Sequence, residues 1–227
     1  MTESYGVVIP AYNAARTLSD AIESVLAQSV PPRSVVVIDD GSTDATAAIA
    51  RSFAPAVRLI TQDNLGPAAA TDRGFAQLSE PLWAGLDADD LWHPDKAAQQ
   101  LAELVSDPGL DAVFCRARIF DHGTRPSPDA PQQDLWCRSA MLIRRCAAER
   151  IGLVNTEAAA RSGEMIDWLA RGRELGLRFR LAPIALVDRR RIAGSISHGQ
   201  DAAALLPAVR AALQRKRSHA APHTAEA

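Results

Sequence analysis

The sequence predicts an α/β domain with a mainly parallel central sheet and helices on both faces. Three observations carry this. Short apolar runs alternate with helical stretches through the first half. Strands separated by helices imply right-handed crossovers, hence parallel neighbours. The conspicuous polar residues follow the apolar runs, where ligands of such sheets gather.

Each element has its own signal. Tyr5 to Pro10 (YGVVIP) is apolar enough for a buried strand. From Thr17 to Gln28, Leu18, Ile22, Val25 and Leu26 mark one face of a helix, which Pro31 and Pro32 end. Ser34 to Ile38 (SVVVI) is β-branched and reads as a second strand. Asp44 can cap a helix carrying Ile49 and Phe53. Val57 to Thr61 is a third strand, Gly66 to Leu78 a helix despite Gly74, and Leu82 to Leu86 a fourth strand. Pro94 opens a helix with Ala97, Leu101, Leu104 and Val105 inward, and Ala112 to Cys115 is a fifth strand.

Residues 121–135, rich in proline, read as a loop between a first half, 1–120, and a second, 136–217. The second half offers a strand at Ala140 to Ile143, a helix at Met165 to Leu175 and a strand at Ile184 to Val187. Ala202 to Gln214 reads as a terminal helix and 218–227 as a disordered tail.

Composition narrows the function. With 47% hydrophobic residues the chain can bury a core. Lys and Arg total 25 against 27 acidic residues, so nucleic acid is not an expected partner. Of two basic runs, Arg189–Arg191 is placed to meet phosphate, and Arg215, Lys216 and Arg217 read as a solvated helix end. Cys115, Cys137 and Cys146 lack metal or redox spacing, which suits a reducing, cytoplasmic compartment. The first residues do not resemble a signal peptide, and no apolar run approaches the roughly 20 residues of a membrane helix. A soluble protein is expected, with membrane-surface association left open.

The sharpest chemical signal is Leu86-Asp-Ala-Asp-Asp90 after the fourth strand. Clustered carboxylates repel one another and resist burial. Mg²⁺ or Mn²⁺ relieves that repulsion and completes its shell with phosphate oxygens. The plain alternative is a solvated acidic turn. Ile38-Asp-Asp-Gly-Ser-Thr-Asp44 follows another strand; one polar residue suffices to cap the next helix, which leaves Asp39 and Asp40 to accept from a base or ribose. No Gly-x-Gly-x-x-Gly follows the first strand and no Walker lysine loop occurs, against dinucleotide dehydrogenases and P-loop enzymes.

Together these motifs resemble glycosyltransferase family 2, with the GT-A, nucleotide-diphospho-sugar transferase-like fold. The matching segments are Ile9-Pro-Ala-Tyr-Asn13, Ile38–Asp44, Gln62-Asp-Asn-Leu-Gly66 and Leu86–Asp90, in family order. The resemblance implies an inverting, metal-dependent transfer from a nucleotide sugar, UDP-sugars by default, to an acceptor hydroxyl. It makes 1–120 the nucleotide-sugar-binding half and 136–217 the acceptor side. Donor contacts are then expected from Pro10, Tyr12, Asp39, Asp40, Asn64, Arg73, Asp87, Arg190 and Arg191, with Asp89 on the metal. Arg189–Arg191, with Ser195 and Ser197, would close over the diphosphate. The segment Gly163-Glu-Met-Ile-Asp-Trp168 looks like the one that supplies the base, Asp167 first and Glu164 as alternative. Trp136 and Trp168 are candidates for sugar stacking or for packing. The sequence departs from the family where an arginine is common (Thr71), where a Glu-Asp pair is common (Met165) and where a histidine is common (Ala193). Two other readings remain: a sugar-nucleotide binder without activity, and a nucleotidyltransferase.

Overall fold

The computed structural model describes residues 4–154, 164–192, 209–210 and 215. The expected terminal helix falls almost wholly outside them, as do the expected tail, Ala193, Ser195 and Ser197.

The sheet has the order β3-β2-β1-β4-β8-β6-β9-β5, with β7 on β6. The parallel part is β1 (Tyr5–Ala11), β2 (Ser34–Asp40), β3 (Arg58–Gln62) and β4 (Leu82–Gly85). Beyond β4 the sheet is mixed. The order is β8 (Leu142–Arg144), antiparallel to β4, then β6 (Ala112–Asp121), then β9 (Phe179–Arg191), parallel to β6. β5 (Leu91–Trp92) and β7 (Gln132–Leu135) are antiparallel additions to β9 and β6. The strands that read as one parallel series are therefore interrupted by β8. Residues 132–135, expected at the end of a loop, form β7.

Every residue of β1 is buried, so helices and loops cover both of its faces. α1 (Leu18–Leu26) buries Leu18, Ala21, Ile22 and Val25. Leu26, expected inward, lies at the exposed edge of this helix. α2 (Thr46–Ser52) packs beside β3, and α3 (Pro67–Phe75) lies on β1 and β2. Gly74 is tolerated in α3 for a packing reason: a Cβ there would come within 2.2 Å of Val8 Cγ1. α4 (Lys96–Ser106) buries Ala97, Leu101 and Leu104, but also Lys96 and Gln100, while Val105 is exposed. On the second half, α5 (Arg145–Ile151) and α6 (Glu164–Glu174) pack against each other. Among the described residues no helix is long and apolar enough to cross a membrane.

Candidate donor and acceptor site

The carboxyl ends of β1, β2 and β4 come together through the sheet register. Ala11 pairs with Asp39, Asp39 with Thr61, and Val8 with Gly85, one residue before the acidic loop begins at Leu86. The loops after these strands are tied to one another. Asn13 takes a left-handed φ of 47°, which asparagine tolerates, and its Oδ1 accepts the Thr43 N–H at 2.9 Å. The Asn13 N–H donates to Ser42 Oγ, that of Ala14 to Thr46 Oγ1, and that of Ala15 to Asp44 Oδ2. Asp44 also accepts the Thr46 N–H at 2.9 Å, so it serves the α2 start and the neighbouring loop together. Gly41 has φ 77°, and a Cβ there would stand 2.9 Å from the Asn64 backbone nitrogen. The turn needs glycine for its dihedral and for the approach of the β3–α3 loop.

Asp39 and Asp40 differ in their surroundings. Asp40 is spent on the protein: its oxygens accept Gln62 Nε2 at 2.7 Å, the Leu65 N–H at 2.9 Å and the Gly66 N–H at 2.8 Å. Asp39, also buried, accepts one long bond from the Ser42 N–H at 3.3 Å among the described residues. Pro10 is buried within β1, whereas Tyr12 and Asn64 are exposed at the rim. Arg73 is exposed and leans on Gln62 Oε1 at 3.4 Å.

The acidic loop is crowded. Asp90 is buried, and burial together with Asp89 and Asp87 pushes its carboxyl well above the usual range. Burial, then the Asp87 charge, raises Asp89 to about 6. Cys137 feels the same field: burial first, then Asp87 and Asp90, push its thiol to about 12. Arg189 and Arg190 oppose that field at Asp89. Asp87 is more open, with about a third of its side chain exposed; its N–H donates to Ser139 Oγ and its Oδ1 accepts Arg138 Nε.

The short 3₁₀ turn Arg138–Ala140 that carries these partners is itself held from the core. Trp92 Nε1 donates to Ser139 O at 2.8 Å, and Gln100 Nε2 to Ala140 O at 2.7 Å. Lys96 Nζ donates to Gln100 Oε1 at 2.8 Å and lies 4.0 Å from the centre of the Trp92 ring. Burial lowers its pKa to about 8.

The basic run separates by strand alternation. Arg190 turns inward over Phe120, with Nε on Asp89 O at 3.0 Å and Nη2 on Asp20 Oδ2 at 2.9 Å. Arg191 is exposed and pairs with Asp121. On α6, Asp167 is buried, with Arg171 Nε at 3.0 Å and Arg215 Nη1 at 2.7 Å. Arg215, expected to be solvated, instead bridges Asp167 and Glu174, because α6 offers it two carboxylates. Glu164 opens α6, next to residues outside the described set. Trp168 is buried and donates to Gly152 O at 2.9 Å, a packing role; Trp136 packs partly buried against Phe114 and lies under Arg173.

Among the described residues no three of His, Cys, Asp or Glu form a metal cage. The acidic loop nevertheless fits Mg²⁺ or Mn²⁺, ions that bind through one or two carboxylates and take phosphate oxygens for the rest. Asp89, raised by burial and then by the Asp87 charge, is the group such an ion would relieve.

Sequence reasoning missed Arg138 and the role of Ser139. Their partner Asp87 lies 51 and 52 positions away, and no local pattern marks such a pairing.

Comparison with known proteins agrees with this geometry. Residues 6–158 match the family model described as glycosyl transferase family 2. The succinoglycan biosynthesis protein ExoU of Rhizobium meliloti is 39% identical over 119 residues, 51% of this chain and 33% of that protein. The chain spans 33% to 40% of the length of the first curated relatives it matches. Two solved structures share the fold. The mannosyltransferase PcManGT from Pyrobaculum calidifontis, in complex with GDP-Man and Mn²⁺, has a TM-score of 0.69 at 19% identity, covering 98% of this chain and 77% of that one. S. aureus TarS 1-349 in complex with UDP-GlcNAc has a TM-score of 0.66 at 15% identity, covering 92% and 65%. With its four motifs on one sheet edge and the family model matched over more than half its length, the chain belongs to glycosyltransferase family 2.

Proposed function

We propose that this domain transfers a sugar from a nucleoside-diphosphate sugar to an acceptor hydroxyl, with inversion and with Mg²⁺ or Mn²⁺ at the acidic loop. The observation that carries the reading is the crowding of Asp87, Asp89 and Asp90 opposite Arg189, on the sheet edge that also bears Asp39. Such a site favours a ligand that brings a divalent cation bridged to phosphate.

In this reading Asp39, with acceptor capacity to spare, takes a base N–H or ribose hydroxyl, while Tyr12 and Asn64 frame the nucleoside. Asp40 acts one step back by fixing the loop that carries Asn64 and Leu65. Asp87 meets the donor's hydroxyls and Asp89 holds the cation. A bound cation would neutralise charge on the departing nucleoside diphosphate. Arg189 faces the acidic loop and is the arginine of the basic run closest in role to a phosphate contact; Arg190 braces that loop, and Arg191 with Arg73 flanks the site.

Inversion needs one carboxylate to take the acceptor's proton as its oxygen attacks. Asp167 is committed to Arg171 and Arg215, so Glu164, at the start of α6, is the better base. The nucleotide offered by relatives of this fold is UDP in one and GDP in another, so both are donor candidates here. Three free thiols fit a reducing, cytoplasmic setting. The sealed position of Asp167 also supports a second reading, donor binding without transfer. Donor turnover separates the two. Release of UDP or GDP from a panel of nucleotide sugars, dependent on Mn²⁺ and lost in Glu164→Gln, supports the enzyme. Tight donor binding with no release and no transfer supports the binder.

A further inference from the structure

Arg138 stands between Asp87 and Thr71. Its Nε donates to Asp87 Oδ1, and its Nη1 donates to Thr71 Oγ1 at 2.8 Å. Thr71 is fixed in turn, its hydroxyl donating to Pro67 O at 2.7 Å within α3. The next residue, Ser139, accepts the Asp87 N–H at 3.1 Å. Two consecutive residues thus grip Asp87 by side chain and by main chain. The burial is lopsided: the Arg138 side chain is 7% exposed and that of Asp87 32%. A guanidinium this far from water is stable only against anions and acceptors, and its planar fork suits two partners at once.

We propose that Arg138, buried and anchored on Thr71, sets the orientation of Asp87 at the donor site. It is a positioning residue: by holding Asp87 Oδ1 it turns the carboxylate to accept a hydroxyl of the donor's ribose. Phosphate groups offer no hydrogen to a carboxylate, whereas ribose hydroxyls do. The inference rests on the donor-site reading above and adds a discrimination, ribose against deoxyribose.

The experiment measures binding of UDP and GDP, and of their 2′-deoxy and 3′-deoxy counterparts, with Mn²⁺ present. It compares wild type, Arg138→Met and Arg138→Lys, with melting temperatures for each. Wild type is expected to prefer the ribo form over at least one deoxy form by about tenfold, the worth of one good hydrogen bond to a charged group. Arg138→Met loses that preference by weakening the ribo form alone. Arg138→Lys, which lacks the fork, keeps only part of it. General structural damage lowers affinity for all forms alike and leaves the ratio unchanged, which overturns the inference. So does a folded Arg138→Met that keeps the full preference. Should Arg138→Met not fold, an unchanged ratio in Arg138→Lys overturns it. If wild type binds no nucleoside diphosphate, the donor-site reading itself falls; if it binds with ribose preference and Arg138 proves irrelevant, only this inference falls.

Discussion

The two halves of the molecule are held together by different means. In the half proposed to bind the donor, parallel strands end in loops tied to one another by short polar side chains: Asn13 to Thr43, Ser42 to Asn13, Asp44 to Ala15, Asp40 to Gly66. In the half proposed to face the acceptor, arginines make the connections. Arg171 and Arg215 enclose Asp167, Arg178 and Arg180 meet Asp107, and Arg144 reaches Leu104 O and Leu110 O. The difference teaches where chemistry is to be sought. A carboxylate in the donor half is judged by what its oxygens have left over, and Asp39 has more left than Asp40. A carboxylate in the acceptor half is judged by whether an arginine already holds it, and Asp167 is held.

The largest expected effect breaks this comparison at its weakest joint, the base. Glu164→Gln is expected to cut transfer by about 10² to 10⁴ with donor affinity unchanged, the usual range for loss of a general base. Asp167→Asn is expected to act on stability instead. It strands Arg171 and Arg215 and costs about 2 kcal/mol, less than a fully buried pair because both arginines keep some water. Kinetics and chemical denaturation on the same samples decide. A stable Asp167→Asn that binds donor but does not transfer would reverse the two roles.

Asp40→Ala sharpens the contrast within the donor half. Three hydrogen bonds to the 62–66 loop disappear, and a loss of about 1–3 kcal/mol is expected. Asp39→Ala is expected to leave stability nearly unchanged and to weaken nucleoside binding directly. Thermal melts beside uridine or guanosine titrations show whether the two neighbours part in this way.

A smaller effect follows from the acidic loop. Asp89 is raised to about 6 and Asp90 is raised as well, so between the ordinary carboxylate range and about pH 6 the folded state holds protons that the unfolded chain has lost. Stability from this loop is therefore greatest at low pH and declines as pH rises through about 6. In metal-free buffer the Asp89→Asn protein should lose less stability between pH 5 and pH 7 than wild type. An identical slope in the two proteins contradicts the crowding.

The donor half was legible because its local signals and its long-range contacts coincide. Each strand is a short apolar run, and each polar motif stands at a strand end where the sheet itself gathers ligands. Within the motifs, however, Asp39 and Asp40 are adjacent and chemically identical, and only the position of the Leu65 and Gly66 amides tells them apart. The mixed half was less legible. β8 enters between β4 and β6 although it lies later in sequence, and β5 and β7 are too short to show a period. Lys96 occupies a core position on α4, where a helical pattern expects an apolar residue, because Gln100 and the Trp92 ring receive its charge. Arg138 gave no signal at all, since its meaning lies in Thr71 and Asp87, 67 and 51 positions away.

The most direct test of the donor site is a calorimetric titration of UDP and of GDP into wild type and Asp89→Asn, with and without Mn²⁺. Wild type should bind at least one of the two far more tightly with Mn²⁺ than without it. Asp89→Asn should retain the melting temperature or exceed it, because a strained carboxylate is gone, while losing the Mn²⁺-dependent part of the affinity. Equal, Mn²⁺-dependent binding by both proteins would show that the acidic loop does not hold the cation, and the account of the site would be wrong at its centre.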